Sequence, residues 1–152
     1  MDGGQDVQGY GPLEPVTDGA WAGWSLWGTD PFEALAGPFY CRFDEGRARC
    51  AFRAEPHHLN GGVFMHGGAL MTFADYCLFV IARDALADAP AVTTAFNAEF
   101  VGAVSAGALV EGSGEVVKAG RTMIFVRGLM SVGGDPVLSF SGVLKKVGPR
   151  GG

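Results

Sequence analysis

The chain has 152 residues, with 11 Lys+Arg against 16 Asp+Glu for a net charge of -5, and is 48% apolar and 18% charged. That is one domain with enough apolar material for a core, and too apolar for intrinsic disorder. The acidic balance, with no basic cluster beyond Lys145-Lys146, argues against nucleic acid as a partner.

Residues 1–20 are rich in Gly, Pro and Asp without periodicity and read as a flexible N-terminal tail, as do residues 148–152 at the other end. The first residues lack the basic start and apolar run of a signal peptide, so the expected location is cytoplasmic. A single domain is expected over 21–147. It opens with Trp21, Trp24 and Trp27, whose spacing by three predicts a short amphipathic helix that either packs on the domain or lids a groove. Asp30-Pro31-Phe32-Glu33 supplies an N-cap acid, proline at the first helical position and glutamate at N3, and Gly37-Pro38 stops the pattern, giving a helix over 31–36. Strands follow at 39–44 and 47–54 around a Glu45-Gly46 turn.

The stretch 69–86 contains no Gly or Pro and predicts one long helix. Its apolar residues cover almost the full circumference, as in a helix enclosed on most sides. The charge-poor run from Gly67 to Ala82 is interrupted by Asp75 and falls short of the ~20 apolar residues that cross a bilayer, so no membrane partner is expected. Four strands then run over 91–101, 107–118, 121–132 and 136–147. No helix separates them, so the pattern predicts an α+β domain: an antiparallel, curved sheet of about six strands wrapped around one helix. Cys41, Cys50 and Cys77 fit neither a zinc site nor a disulfide framework and read as buried free thiols.

Asp75 is the outlier of the long helix. It stands about two turns in, among apolar neighbours, where an unpartnered carboxylate is costly. It is either a buried acid satisfied by an arginine or hydroxyls, or a general base or nucleophile whose basicity is shaped by limited solvation. His66-Gly67-Gly68 precedes the helix; two glycines there leave first-turn N–H groups bare beside the positive end of the helix dipole, or simply let the chain turn. Asn60-Gly61 is a turn signal whose amide could also hold a water or a substrate oxygen. Neither nucleotide-binding glycine loop is present, and the three histidines make no convincing metal set.

Taken together, His58-x-Asn60, His66-Gly67-Gly68-Ala69-Leu70 and Ala74-Asp75 resemble the signature of hotdog-fold acyl-CoA thioesterases of the PaaI (phenylacetic acid degradation) type, with the acid nine residues after the histidine. The likeness extends from about Asp30 to Val147 and departs from the family pattern at Val63 and at Phe100-Val101-Gly102-Ala103. It implies that the Gly67 N–H polarises the thioester carbonyl, that Asp75 attacks the carbonyl carbon or activates water, and that Asn60 orients water or substrate. His66 would support the loop and Thr93 would help to place the nucleophile. Gly68 would contact substrate, and Phe64, Met71, Phe79 and Phe96 are the expected acyl groove. Arg121, Lys118 and Arg127 are possible phosphate contacts. The resemblance further implies a homodimer or dimer of dimers in which Asp75 of one protomer serves Gly67 of the other, so that a monomer is inactive. Coenzyme A enters as part of the substrate, with no other cofactor and no metal.

The alternative reading is a hotdog module that binds acyl-CoA without hydrolysing it. A hydratase of the same fold would carry Asp-x-Asn-Pro-x-His, which is absent, and Gly23-Trp24-Ser25-Leu26-Trp27 lacks the final glycine of a nucleophile elbow.

Overall fold

The computed structural model describes residues 11–148; residues 1–10 and 149–152, assigned above to the two tails, lie outside the described residues. The elements in chain order are β1 (Glu14–Pro15), β2 (Ser25–Leu26), α1 (Pro31–Ala36), β3 (Tyr40–Asp44), β4 (Arg47–Arg53), a 3-10 turn (Pro56–His58), α2 (Gly67–Ile81), α3 (Arg83–Leu86), β5 (Ala91–Phe100), β6 (Leu109–Ala119), β7 (Met123–Val132) and β8 (Asp135–Lys146). The strands form one antiparallel sheet in the order β1-β2-β3-β4-β6-β7-β8-β5, curled around α2. This is the hotdog arrangement. The sheet has eight strands rather than six because β1 and β2, two residues each, add a small hairpin at one edge.

That hairpin corrects two expectations. Residues 11–20, read as part of a tail, carry β1, and the tryptophan segment is not a helix. Val16 and Trp24 face each other across the hairpin, with Val16 N–H donating to Trp24 O at 2.8 Å and Gly23 N–H to Val16 O at 3.1 Å. Gly19 and Gly23 adopt φ of +78° and +90°, which no helix accommodates. The three indoles therefore separate: Trp21 stacks on Tyr40 with centroids 4.1 Å apart, Arg42 and Arg49 lie over Trp24, and Trp27 is buried with its edge against Tyr76.

α1 forms where its signals place it. Asp30 Oδ1 accepts from Glu33 N–H at 2.9 Å, Pro31 occupies the first turn, and Gly37 N–H closes the helix on Glu33 O. The β3–β4 turn uses positive φ at both Glu45 and Gly46, the twist a two-residue hairpin needs.

The long helix is shorter than expected at its C-terminal end: α2 stops at Ile81, Ala82 departs from helical geometry, and α3 continues the chain. Phe73, Ala74, Cys77, Leu78 and Val80 are fully enclosed against Phe52, Val110, Ile124, Val126, Leu138 and Leu144 of the sheet. Burying each large side chain contributes about 1.5–3 kcal/mol. Enclosure is incomplete, however. The positions Gly68, Met71, Thr72 and Asp75, spaced to share one helix face, stay partly open because the sheet curls around the remaining sides. Among the described residues no helix is long and apolar enough to cross a membrane. Cys41, Cys50 and Cys77 are buried and free.

Candidate active site

The open face of α2 floors a cleft of about 460 Å³. Met71, Thr72, Asp75 and Phe79 come from the helix, Phe96 from β5, Phe32 and Glu33 from α1, with Asp30 and Trp27 nearby on the same lining. The Thr93 hydroxyl donates to Asp75 Oδ1 at 2.6 Å, so among the described residues the carboxylate has a neutral hydroxyl partner and no arginine. Burial raises the Asp75 carboxyl above its ordinary range, and the Thr93 bond pulls the other way.

A bulge in β5 makes this arrangement possible. Pairing with β8 shifts register between Thr93 and Ala95. Ala91 and Thr93 turn inward before the shift and Phe96 and Ala98 after it. Strict alternation would send Phe96 to the opposite face from Thr93; the extra residue brings both toward the cleft.

The other expected site residues gather at the start of α2. His66 is its N-cap, Nδ1 accepting from Gly68 N–H at 2.8 Å. Gly67 is the first helical residue, and among the described residues its N–H has no acceptor recorded. The Phe100 ring lies beside it, close enough that a Cβ on Gly67 would sit 3.2 Å from that ring. Asn60 Oδ1 accepts from Gly62 N–H at 2.8 Å, the Asx turn that its sequence suggests. Phe64 is exposed and bridges to Ser105 rather than lining the cleft with Met71, Phe79 and Phe96. The structure thus brings Asp75, Thr93, Met71, Phe79 and Phe96 together, and separately Asn60, Phe64, His66, Gly67 and Gly68. Eight residues of helix divide Gly67 from Asp75, about 12 Å at 1.5 Å per residue, so one carbonyl cannot touch both within one chain.

Two further sequence features resolve as framework. His58 is buried, its Nδ1 accepting from Glu55 N–H and its Nε2 2.6 Å from Ala36 O, which ties the 3-10 turn to the end of α1. Arg127 Nε donates to Glu115 Oε1 at 2.7 Å on the exposed side of the sheet.

Glu33 is the residue the sequence hid. Its N3 position explained it as a helix-start acid, yet Glu33 lines the cleft with Asp75 and its carboxyl is pushed up to about 8, first by burial, then by the neighbouring Asp30 and Asp75 carboxyls. Among the described residues no three His, Cys, Asp or Glu side chains are arranged to hold a metal ion.

Comparison with known proteins gives the fold its relatives. A sequence profile of the thioesterase superfamily matches residues 62–138, spanning the α2 motif and most of the sheet. A Pseudomonas aeruginosa protein whose name marks it as a candidate esterase is 35% identical over 120 residues, 78% of this chain and 90% of that one. A mutant form of the phenylacetic acid degradation protein PaaI of Thermus thermophilus superposes with a TM-score of 0.68 at 25% identity, covering 78% of this chain and all of that one (100%). A thioesterase-type protein of Streptococcus pneumoniae, solved with coenzyme A, shares the fold with a TM-score of 0.65 at 20% identity over 74% of this chain and 91% of that one.

Proposed function

The chain belongs to the thioesterase superfamily, and from that membership we propose that it hydrolyses an acyl-CoA or aryl-acyl-CoA thioester to the free acid and coenzyme A. The observation that carries this reading is the Asp75 carboxylate, held by Thr93 in a largely apolar cleft with an open side. Met71, Phe79 and Phe96 supply the apolar wall for an acyl group, and Asp75 supplies or activates the attacking oxygen. The unpaired Gly67 N–H is the donor for the carbonyl oxygen, where one preorganised amide contributes about 3 kcal/mol as negative charge develops. Because Gly67 and Asp75 of one chain lie too far apart, the reading requires two copies, each lending Gly67 to its partner's Asp75. His66 and Asn60 shape the loop that presents the amide. The coenzyme A in the pneumococcal structure supports the same leaving group here. No cofactor enters beyond the coenzyme A of the substrate.

The test is a panel of CoA thioesters of graded length, phenylacetyl-CoA included, followed with a thiol-reactive dye. Asp75→Asn is expected to lower kcat by about 10²–10⁴-fold, the range for removing a catalytic base. Unchanged hydrolysis in that variant removes the reading. Saturable binding without turnover by the unaltered chain replaces it with the binding-module alternative.

A further inference from the structure

We propose that Glu33 is a second catalytic residue of the cleft, the general acid that protonates the departing thiolate while Asp75 acts as the base. The role rests on the thioesterase reading above. Its ground is a placement: α1 sets Glu33 on the lining of the same cleft that Asp75 lines from α2.

Two carboxyl groups serving one small space cannot both ionise cheaply, and the environment decides which keeps the proton. Burial raises the Asp75 carboxyl too, but the Thr93 hydroxyl donating to it works against that rise. Around Glu33 burial and the neighbouring carboxyls act together to raise it. The Asp30 and Asp75 carboxyls stand on the same lining, and their negative charge works against ionising Glu33. The other titratable groups facing it are Asp75 and Tyr76 on α2 and Cys41 on β3, and both Tyr76 and Cys41 are kept neutral by burial. Among the described residues the cleft lining includes no Lys, Arg or His to reverse the balance. Of the two, Glu33 is therefore the one that keeps its proton near pH 7.

That pairing suits a thioester. An alkyl thiol of the cysteine type titrates near ~8.5, close to the value of about 8 at which Glu33 releases its proton, so transfer to the leaving sulfur is almost level in energy. Water adds through oxygen to the carbonyl carbon and gives one proton to Asp75. The carbon–sulfur bond breaks, and its electron pair takes the Glu33 proton. The products are the carboxylic acid and the free thiol, with Asp75 protonated and Glu33 ionised; return of that proton from Asp75 to Glu33 restores the start.

The experiment compares the full chain with Glu33→Gln across pH, on a CoA thioester and on a thioester of the same acid with an aromatic thiol. In the unaltered chain kcat for the CoA ester is expected to fall above about pH 8 as Glu33 ionises. Glu33→Gln should lose that falling limb and about 10²-fold in kcat on the CoA ester with KM little changed. On the aromatic ester, whose more acidic thiol leaves without a proton, the loss should stay under about tenfold. Equal losses on both esters, or a falling limb that persists in the variant, overturn the role and leave the thioesterase reading standing. Absence of hydrolysis by the unaltered chain removes both. Carboxyl-carbon NMR of the unaltered chain gives a readout independent of turnover: a Glu33 midpoint near pH 8 supports the assignment, and one in the ordinary range near ~4.3 overturns it.

Discussion

The Thr93 hydroxyl and the burial of Asp75 act on the same carboxyl in opposite directions, and their balance sets the pH at which the base becomes available. Thr93→Val keeps the β-branched shape and removes the donor. Asp75 then loses the interaction that lowers its pKa, so its midpoint rises. Activity that needs the ionised form begins at higher pH, which moves the rising limb of the kcat profile upward. At pH 7 kcat is expected to drop roughly tenfold, as losing ~1.4 kcal/mol of positioning requires. A pH–rate profile of the variant checks both effects, and an unmoved rising limb would separate Thr93 from the base. Asp75 was legible in the sequence because a charge inside an apolar helix demands an explanation wherever the helix packs. Glu33 was not, because Asp30-Pro31-Phe32-Glu33 is fully accounted for by local helix capping. Its place on the cleft depends on where α1 lands relative to α2, which no local pattern encodes.

α2 and the sheet approach closely because glycines line their contact. A Cβ on Gly114 would run into Arg127 O, with Gly128 Cα 2.8 Å and Ile81 Cδ1 2.9 Å away. Gly114 pairs with Gly128 across β6 and β7, so backbone and helix side chain press on the same spot. Gly114→Ala must therefore push β6 away from β7 or displace the end of α2. The expected cost is about 2 kcal/mol of overpacking, or roughly 6 °C in Tm for a domain of this size. Calorimetry beside Gly148→Ala, where no atom lies within 4 Å of the added carbon, isolates the packing effect. The same level shows what the sequence could tell. The long strands and α2 were visible because apolar and β-forming residues run between clear glycine breaks, although β5 and β6 bury little of their length. The tryptophan segment misled because a spacing of three matches a helix, while the conformations of Gly19 and Gly23 are decided by the hairpin they close. The β5 bulge was equally hidden: alternation through Thr93, Thr94 and Ala95 reads as regular until the β8 register is known.

At the scale of the molecule, the described chain holds its basic group and its amide donor about 12 Å apart along α2, with an edge strand, β5, and exposed Phe64, Met71, Phe100 and Val101 beside them. The family resemblance implied both the residues and their sharing between two copies, and the helix geometry supplies a physical reason for the sharing: one carbonyl cannot reach both groups of one chain. Two variants make this testable without assuming the shape of the interface. Asp75→Asn disables one half. Gly67→Pro removes the N–H at the first helical position, a backbone place that suits proline and where His66 already has the extended ψ of 136° that a residue before proline adopts, with the Phe100 ring yielding slightly to the added Cβ. Each variant alone should lose most activity, the proline variant by about 10²–10³-fold as expected for one missing oxyanion donor. Mixed in equal amounts after dissociation and reassociation, half of the dimers carry one copy of each. One of the two sites in such a dimer then combines an intact Asp75 with an intact Gly67, so the mixture should recover about a quarter of the original rate in a symmetric two-site assembly. Sites built within single chains would recover nothing, because no chain in the mixture carries both groups.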